Sequence, residues 1–244
     1  MPRISFDHSP VPVIGWGRGW LVAEKPSSMS THNDPGNDLL SRLNLFLLSS
    51  GQTAETIAYD AGFGLHAVHR LDKETSGVIV LSCRRDVFDY LSRQFSEAAV
   101  RKRYLALVHG LAPITGKDGL WQWPLTPKAA GRRDPRGCGR REPCETRYRV
   151  LEHSRHYSLI TCRPTTGRTH QIRRHAALAG HPLLGDRRYG SLRACRYLEK
   201  HHRFVRLALH AHSLGLKLPE SGGFKKFQSA GLPPEMVRLF EMDR

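Results

Sequence analysis

The sequence predicts an α+β fold: a single catalytic domain with a mixed, mainly antiparallel β-sheet flanked by helices and loops. Three observations predict it. Strand-like and helix-like segments alternate irregularly, which argues against the strict βαβ order of a doubly wound parallel sheet. Several extended runs are short and either alternate or carry β-branched residues, as strands of a packed sheet do. No repeat, heptad array or strong linker divides the 244 residues. One domain over 1–244 is therefore expected, with its core over about 18–219.

The elements follow in order. Residues 20–23 (Trp-Leu-Val-Ala) form an apolar first strand that ends at Lys25-Pro26. Asn37 offers an N-cap to a helix in which Leu39, Leu40, Leu43, Phe46 and Leu47 share one stripe. Residues 78–81 are continuously apolar and partly β-branched, the pattern of a strand buried on both faces. Residues 84–99 carry Phe88, Leu91, Phe95 and Ala98 at helical spacing, and 102–109 alternate as a strand. Residues 121–124 begin another extended piece. Residues 126–142, TPKAAGRRDPRGCGRRE, are rich in Gly, Pro and Arg and nearly devoid of large apolar side chains. That composition predicts a flexible basic loop that orders on its partner. Strands are expected near 145–151 and 157–163, and a helix over 169–179 closed by Gly180 with Pro182 beyond. A short helix over 193–202, a strand over 207–218 and a terminal helix over 233–241 complete the set, the last with Pro near its first turn.

Charge narrows the function. There are 38 Lys plus Arg against 22 Asp plus Glu, a formal charge of +16. Most of the cations are arginines, which suit bidentate phosphate contact and stacking on bases. Spread along the whole chain, this charge favours a nucleic acid over a merely basic solvated surface. It does not separate RNA from DNA. No apolar run approaches the roughly 18 residues of a membrane span, and the first twenty residues lack an apolar leader core. Five scattered cysteines without a C-x-x-C pair argue against a disulfide framework or zinc ribbon. A cytoplasmic, reducing location, no membrane partner, no metal and a monomer are expected. His170 and His175 lie five residues apart, a poor offset for one metal on a helix face. No phosphate-binding loop is present, and the glycines of Gly15-Trp16-Gly17-Arg18-Gly19 precede a strand where a dinucleotide fold needs them after one.

The most informative segment is His69-Arg70-Leu71-Asp72-Lys73-Glu74-Thr75-Ser76-Gly77. It sets one carboxylate, Asp72, beside the guanidinium of Arg70 on a turn leading into the 78–81 strand. Taken alone it also fits a plain turn, with Asp72 capping, Thr75 and Ser76 bonding local backbone, and Gly77 supplying an unusual φ. A second segment, Pro164 to His175, reads PTTGRTHQIRRH. Its tight turn places Arg168 near a helix start, where N–H groups and cations favour an anion. Elsewhere Lys102-Arg103-Tyr104 opens a strand, and a tyrosine among cations can stack on a base. The run Arg206-Leu207-Ala208-Leu209-His210-Ala211, by itself, reads as a buried strand.

In this order these segments resemble the motifs of the RluA-type pseudouridine synthases, from the 20–26 strand through HRLDKETSG, K-x-Y and T-G-R-x-H-Q-[IL]-R to R-[LM]-x-L-H-A. The resemblance spans most of the chain and is closest to members without a separate S4-type RNA-binding domain. It implies the pseudouridine synthase fold and isomerisation of a uridine in RNA, tRNA or rRNA, without cofactor. Asp72 becomes the catalytic carboxylate, Arg168 its basic partner and Tyr104 the ring that stacks on uracil. Leu209 lines the pocket, Lys25 ends a strand that serves as a shelf near the site, and His69, Arg70 and Arg173 contact RNA. Since C1′ and C5 are hidden in stacked RNA, the nucleotide must be flipped out, and Arg70 is suited to fill the gap. Asp72 must be ionised, whether it attacks C1′ or removes the C2′ proton. Arg173-Arg174-His175 and Gly190-Ser191-Leu192-Arg193 further resemble a tRNA-modifying branch. Two rivals remain in other classes: an RNA-binding protein that keeps the fold without activity, and a metal-dependent nuclease, which the scarcity of clustered acids disfavours.

Overall fold

A computed structural model describes residues 6, 8–113, 118–220 and 222–244; 1–5 and 7, part of the stretch read for a leader, lie outside the described residues. In chain order the elements are β1 (Val13–Gly17), β2 (Trp20–Lys25), α1 (Leu39–Ser49), α2 (Gly51–Thr56), β3 (His66–Ala67) and β4 (Ser76–Ser82). There follow α3 (Arg85–Ser96), β5 (Arg101–His109), β6 (Gly119–Trp121), β7 (Thr146–His153) and β8 (Tyr157–Pro164). The last are α4 (Gln171–Leu178), α5 (Leu192–His202), β9 (Leu209–Lys217), β10 (Phe224–Gln228) and α6 (Pro234–Met242). The α+β class holds, and every strand pair whose register is described is antiparallel.

No linker in the sequence divides the chain, yet the fold resolves into two compact units interleaved along it. Met1–Arg101 with Ala211–Ala230 make the first, and Lys102–His210 with Gly231–Arg244 the second. In the first unit the strands run β1-β2-β4-β9, with β10 on β9 and β3 also on β4. β4 is buried along its whole length, as its apolar run predicts for a strand covered on both faces. Gly77 at its start has φ +114°, and a Cβ there would run into the backbone of Ala211. Glycine is thus required twice over, by conformation and by space. Val78 and Val80 of β4, Val22 of β2, Leu91 of α3 and Leu214 of β9 pack one core. α1 is capped by Asp38, whose carboxylate accepts from Ser41 N–H at 2.7 Å and Asp34 N–H at 2.9 Å, not by Asn37, its neighbour.

In the second unit the strands run β5-β8-β7-β6. One core lies around Ile160, Ile172 and Leu209, with Tyr104 packed against it. Another joins Leu107, Leu198 and Phe204 to Met236 and Phe240 of α6. α4 begins later than its apolar pattern predicts, because His170 takes a left-handed conformation at φ 55° and breaks the helical run. Its far end closes as expected, with Gly180 at φ +79° after the last turn.

Candidate active site

The Asp72 turn belongs to the first unit and is held by the segment that follows β2. Lys25 is 1% exposed. Its ammonium donates to the carbonyls of Pro26 (2.8 Å), Met29 (2.6 Å) and Lys73 (3.1 Å). Thr31 donates to Leu71 O at 3.2 Å and Ser27 to Glu74 O at 2.8 Å. Three side chains from 25–31 therefore grip the carbonyls on either side of Asp72. A backbone bond from Thr75 N–H to Asp72 O (3.0 Å) closes the turn itself. Asp72 stays half-buried and Arg70 exposed. Lys25, expected to end a strand that serves as a shelf near the site, is a buried peg that ties the 26–29 segment to the Asp72 turn.

His69 supports the same turn from the other side. Its Nε2 accepts from Val80 N–H at 3.2 Å, which requires that nitrogen to be unprotonated. Its ring stacks on Phe95 of α3, with centroids 4.5 Å apart and planes 18° from parallel. His69, expected to contact RNA, is half-buried and tied to β4 and α3 by this bond and this stack.

The second unit carries the other motif residues. Tyr104 sits on β5 opposite Cys162 of β8, half-buried. Lys102 donates to Thr166 O at 3.0 Å, and burial lowers its pKa from the ordinary lysine value. Arg103 bonds Thr161 Oγ1 at 3.0 Å. Leu209 is buried in the same core that Tyr104 packs against. Arg168 directs Nη1 to Glu142 at 2.6 Å, while its Nε is buried and without a hydrogen-bond partner among the described residues.

Gln171 gives the Arg168 turn its shape, and the sequence reading missed it. Its Oε1 accepts from Thr166 Oγ1 (2.6 Å) and from Arg168 N–H (3.1 Å). Its Nε2 donates to Glu145 O (2.9 Å) and Thr146 Oγ1 (3.0 Å). One buried amide thus staples the turn to β7 with its polar atoms satisfied. It also occupies the Arg168 N–H that the helix start was expected to offer an anion. His175, fully buried, continues the chain. Its Nε2 lies 3.0 Å from Trp123 O, an acceptor, so it carries the proton, and Nδ1 accepts from Thr146 Oγ1 at 3.0 Å. Burial lowers the His175 pKa, consistent with this neutral tautomer. The helix that reads as an anion site is in large part a packed hydrogen-bond core.

Arg173, expected to meet RNA, has a side chain 2% exposed that grips Asp186 with two bonds, Nε to Oδ2 at 2.9 Å and Nη2 to Oδ1 at 3.0 Å. Asp186 also accepts from Arg188 N–H (2.9 Å) and Tyr189 N–H (3.0 Å). Burial pushes this carboxyl up, but Arg173 and the two amides outweigh it and hold the pKa below the ordinary value.

Arg174, also fully buried, organises the segment expected to be a flexible loop. Its guanidinium donates to the carbonyls of Pro135 (2.5 Å), Arg136 (2.6 Å), Thr126 (2.9 Å), Thr169 (3.3 Å) and Lys128 (3.4 Å), and to Thr126 Oγ1 (3.0 Å). A backbone bridge between Leu125 and Glu142 closes the base of the segment. Residues 126–142 lack an apolar core of their own, and a single guanidinium supplies one made of hydrogen bonds.

Comparison with known proteins completes the picture. A family model described as RNA pseudouridylate synthase matches residues 19–178. Ribosomal large subunit pseudouridine synthase D of Zymomonas mobilis subsp. mobilis is 35% identical over 236 residues, covering 96% of this chain and 73% of that protein. Ribosomal large subunit pseudouridine synthase C of Escherichia coli is 36% identical over 214 residues, covering 86% of this chain and 63% of that protein. The chain thus spans less than two thirds of the latter relative's length. Among solved structures, human RNA Pseudouridylate Synthase Domain Containing 1 aligns with a TM-score of 0.73 over 97% of this chain and 89% of that one, at 24% identity. That likeness speaks for the fold. No helix among the described residues is long and apolar enough to cross a membrane.

Proposed function

Because the chain belongs to the RNA pseudouridylate synthase family of isomerases, we propose that it converts a uridine of large-subunit ribosomal RNA to pseudouridine, with Asp72 as the reacting carboxylate. The observation that carries this is the grip on the Asp72 turn. Lys25, Ser27 and Thr31 fix the carbonyls around one half-buried acid, an investment that a loop of merely structural purpose does not need. Ribosomal RNA is favoured over tRNA because the relatives are named for the ribosomal large subunit. The tRNA-like feature Arg173-Arg174 is also buried and selects no substrate directly.

In this reading the target nucleotide is flipped out at a cost of a few kcal/mol of lost stacking. The N1–C1′ bond breaks, the uracil turns, C5 joins C1′, and the C5 proton is removed as N1 gains one. Asp72 acts on the sugar in its ionised form, at C1′ as nucleophile or at C2′ as base. By family resemblance Arg168 is the cation that favours the carboxylate, Tyr104 stacks on the uracil and takes part in the C5 deprotonation, and Leu209 lines the base pocket. Arg70, exposed beside Asp72, is suited to occupy the place of the flipped base.

The test is to delete the gene from its host and map pseudouridines in ribosomal and transfer RNA. A large-subunit site should vanish and return with the wild-type gene but not with Asp72→Asn. Purified Asp72→Asn should lose at least about 10³ in rate while binding RNA within threefold of wild type. No vanished site in any RNA would sink the proposal, and a vanished tRNA site alone would redirect it.

A further inference from the structure

We propose that residues 126–140 form a preassembled arch that docks the phosphate backbone of the RNA outside the target nucleotide. It rests on the reading above for the identity of the polyanion, but not on Asp72 or its chemistry. The arch encloses a cavity of about 940 Å³ lined by Thr126–Asp134, Gly137, Cys138 and Arg140. The cavity is open to solvent and at the upper end of the roughly 300–1,000 Å³ of small-molecule pockets, so it has room for more than a single phosphate.

Its charge is one-sided. Lys128, Arg132, Arg133 and Arg140 line it, with Asp134 the one acid among the lining residues. Asp134 is already engaged, by Arg136 N–H at 3.1 Å and by Arg141 at 3.3 Å. Lys128, Arg133 and Arg140 are exposed and have no ion-pair partner among the described residues. Three free cations around a concave surface, with the local acid neutralised, are the electrostatic footprint of a polyanion site.

The arch is also built to keep its form without a ligand. The buried guanidinium of Arg174 ties both limbs together, through Thr126 and Lys128 on one side and Pro135 and Arg136 on the other. Gly137 packs against Thr126 with φ +82°, where a Cβ would collide with the threonine side chain. The outer limb leans on the 186–189 turn. Ala130 N–H donates to Tyr189 Oη at 3.3 Å, Arg188 donates to Ala130 O at 2.8 Å, and Arg132 donates to Arg187 O at 2.9 Å. Arg173 holds that turn in place through Asp186. The adjacent arginines of α4 thus shape the surface that docks the RNA. Preorganisation of this kind lowers the ordering cost of binding.

The experiment compares RNA binding by wild type, the arch variant Lys128→Gln/Arg133→Gln/Arg140→Gln, and a control variant Lys225→Gln/Lys226→Gln/Arg238→Gln with the same charge removed elsewhere. A labelled large-subunit rRNA transcript is titrated from 50 to 200 mM salt. Each lost phosphate contact to single-stranded RNA reduces the log–log salt slope by about 0.7. The arch variant should therefore lose about 2 from its slope, and the control none. An unchanged slope in the arch variant, or an equal loss in the control, overturns the arch. Pseudouridine formation by the wild type is assayed on the same transcript. A wild type that binds with arch-dependent slope yet forms no pseudouridine overturns the proposed activity and leaves the arch standing. Pseudouridine formation with an arch-independent slope does the reverse.

Discussion

Two irregular segments, the Asp72 turn and residues 126–142, solve the same problem with opposite display. Neither has an apolar core of its own. Each is knit together by a buried cation that donates to main-chain carbonyls, Lys25 to three of them and Arg174 to five. The compact ammonium of Lys25 suits a small turn, and the planar fork of Arg174 reaches two limbs at once. Around Lys25 the turn presents an acid; around Arg174 the arch presents cations. A buried cation in carbonyl surroundings is therefore a scaffold here, and the charge of the scaffold says nothing about the charge it displays.

The comparison can be broken at four places. Asp186→Asn should cost the most. It removes the carboxylate that grips the buried Arg173, at about 3–5 kcal/mol, read as a lowered denaturation midpoint. The pH dependence has a definite sign. The folded pKa of Asp186 lies below its ordinary value, so the stabilisation is complete above the ordinary carboxylate pKa and drains away as pH falls through the depressed one. The wild-type advantage over Asp186→Asn should hold from pH 7 to 5 and shrink below about pH 4. An advantage that grows on acidification would refute the ion pair as its source. Lys25→Met should come next, at about 2–4 kcal/mol for carbonyls left without a donor. It should take the isomerase activity with it, whereas RNA affinity should stay within threefold; retained activity would detach the grip on Asp72 from catalysis.

Arg174→Lys tests the other scaffold. A lysine keeps the charge but cannot reach both limbs, so the arch should loosen by about 1–3 kcal/mol. The amides of Thr126 and Glu142, bonded across the arch to Arg136 O and Leu125 O, should exchange hydrogen correspondingly faster while the β4 amides do not change. Equal protection in both proteins would show that the arch needs no guanidinium. The smallest effect belongs to Glu142→Gln. Glu142 and Arg168 are each about one-third exposed, and such a pair is worth no more than about 1 kcal/mol. If Arg168 pairs with the reacting carboxylate as proposed above and Glu142 competes for it, the rate should rise by up to about fivefold. A fall would make Glu142 the group that orients Arg168.

The sequence makes the regular parts of this fold readable, and the reasons are local. β4 is legible because its continuous apolar run has few other uses, and α3 because Leu91 and Phe95 recur at helical spacing. β1, with the two glycines of its VIGWG, and β10, mostly exposed FKKFQ, carry no such signal. They become strands because a neighbour offers them an edge. α2, GQTAET, has no apolar stripe. The choice between Asn37 and Asp38 as cap turns on one residue of register that two adjacent eligible side chains do not encode. In the candidate site, motif resemblance names the residues expected to carry chemistry, but not the residues that support them. Gln171, Arg173 and Arg174 sit inside a quoted motif and look like a solvated basic helix. Only the burial of α4 turns them into a staple, an ion pair and a hub. Composition rightly reports that 126–142 has nothing of its own to fold around. It does not report that Arg174, supplied from another element, does the folding.

The interleaving of the first unit reaches back to the birth of the protein. β4 takes β9 as its sheet neighbour, and the ribosome makes that strand only after β5 to β8, α4 and α5. Until then the nascent chain carries an all-apolar ribbon with one hydrogen-bonding edge unclaimed, the kind of edge that invites aggregation. A ribosome stalled or a message truncated before codon 211 therefore releases a sticky intermediate, not a smaller enzyme.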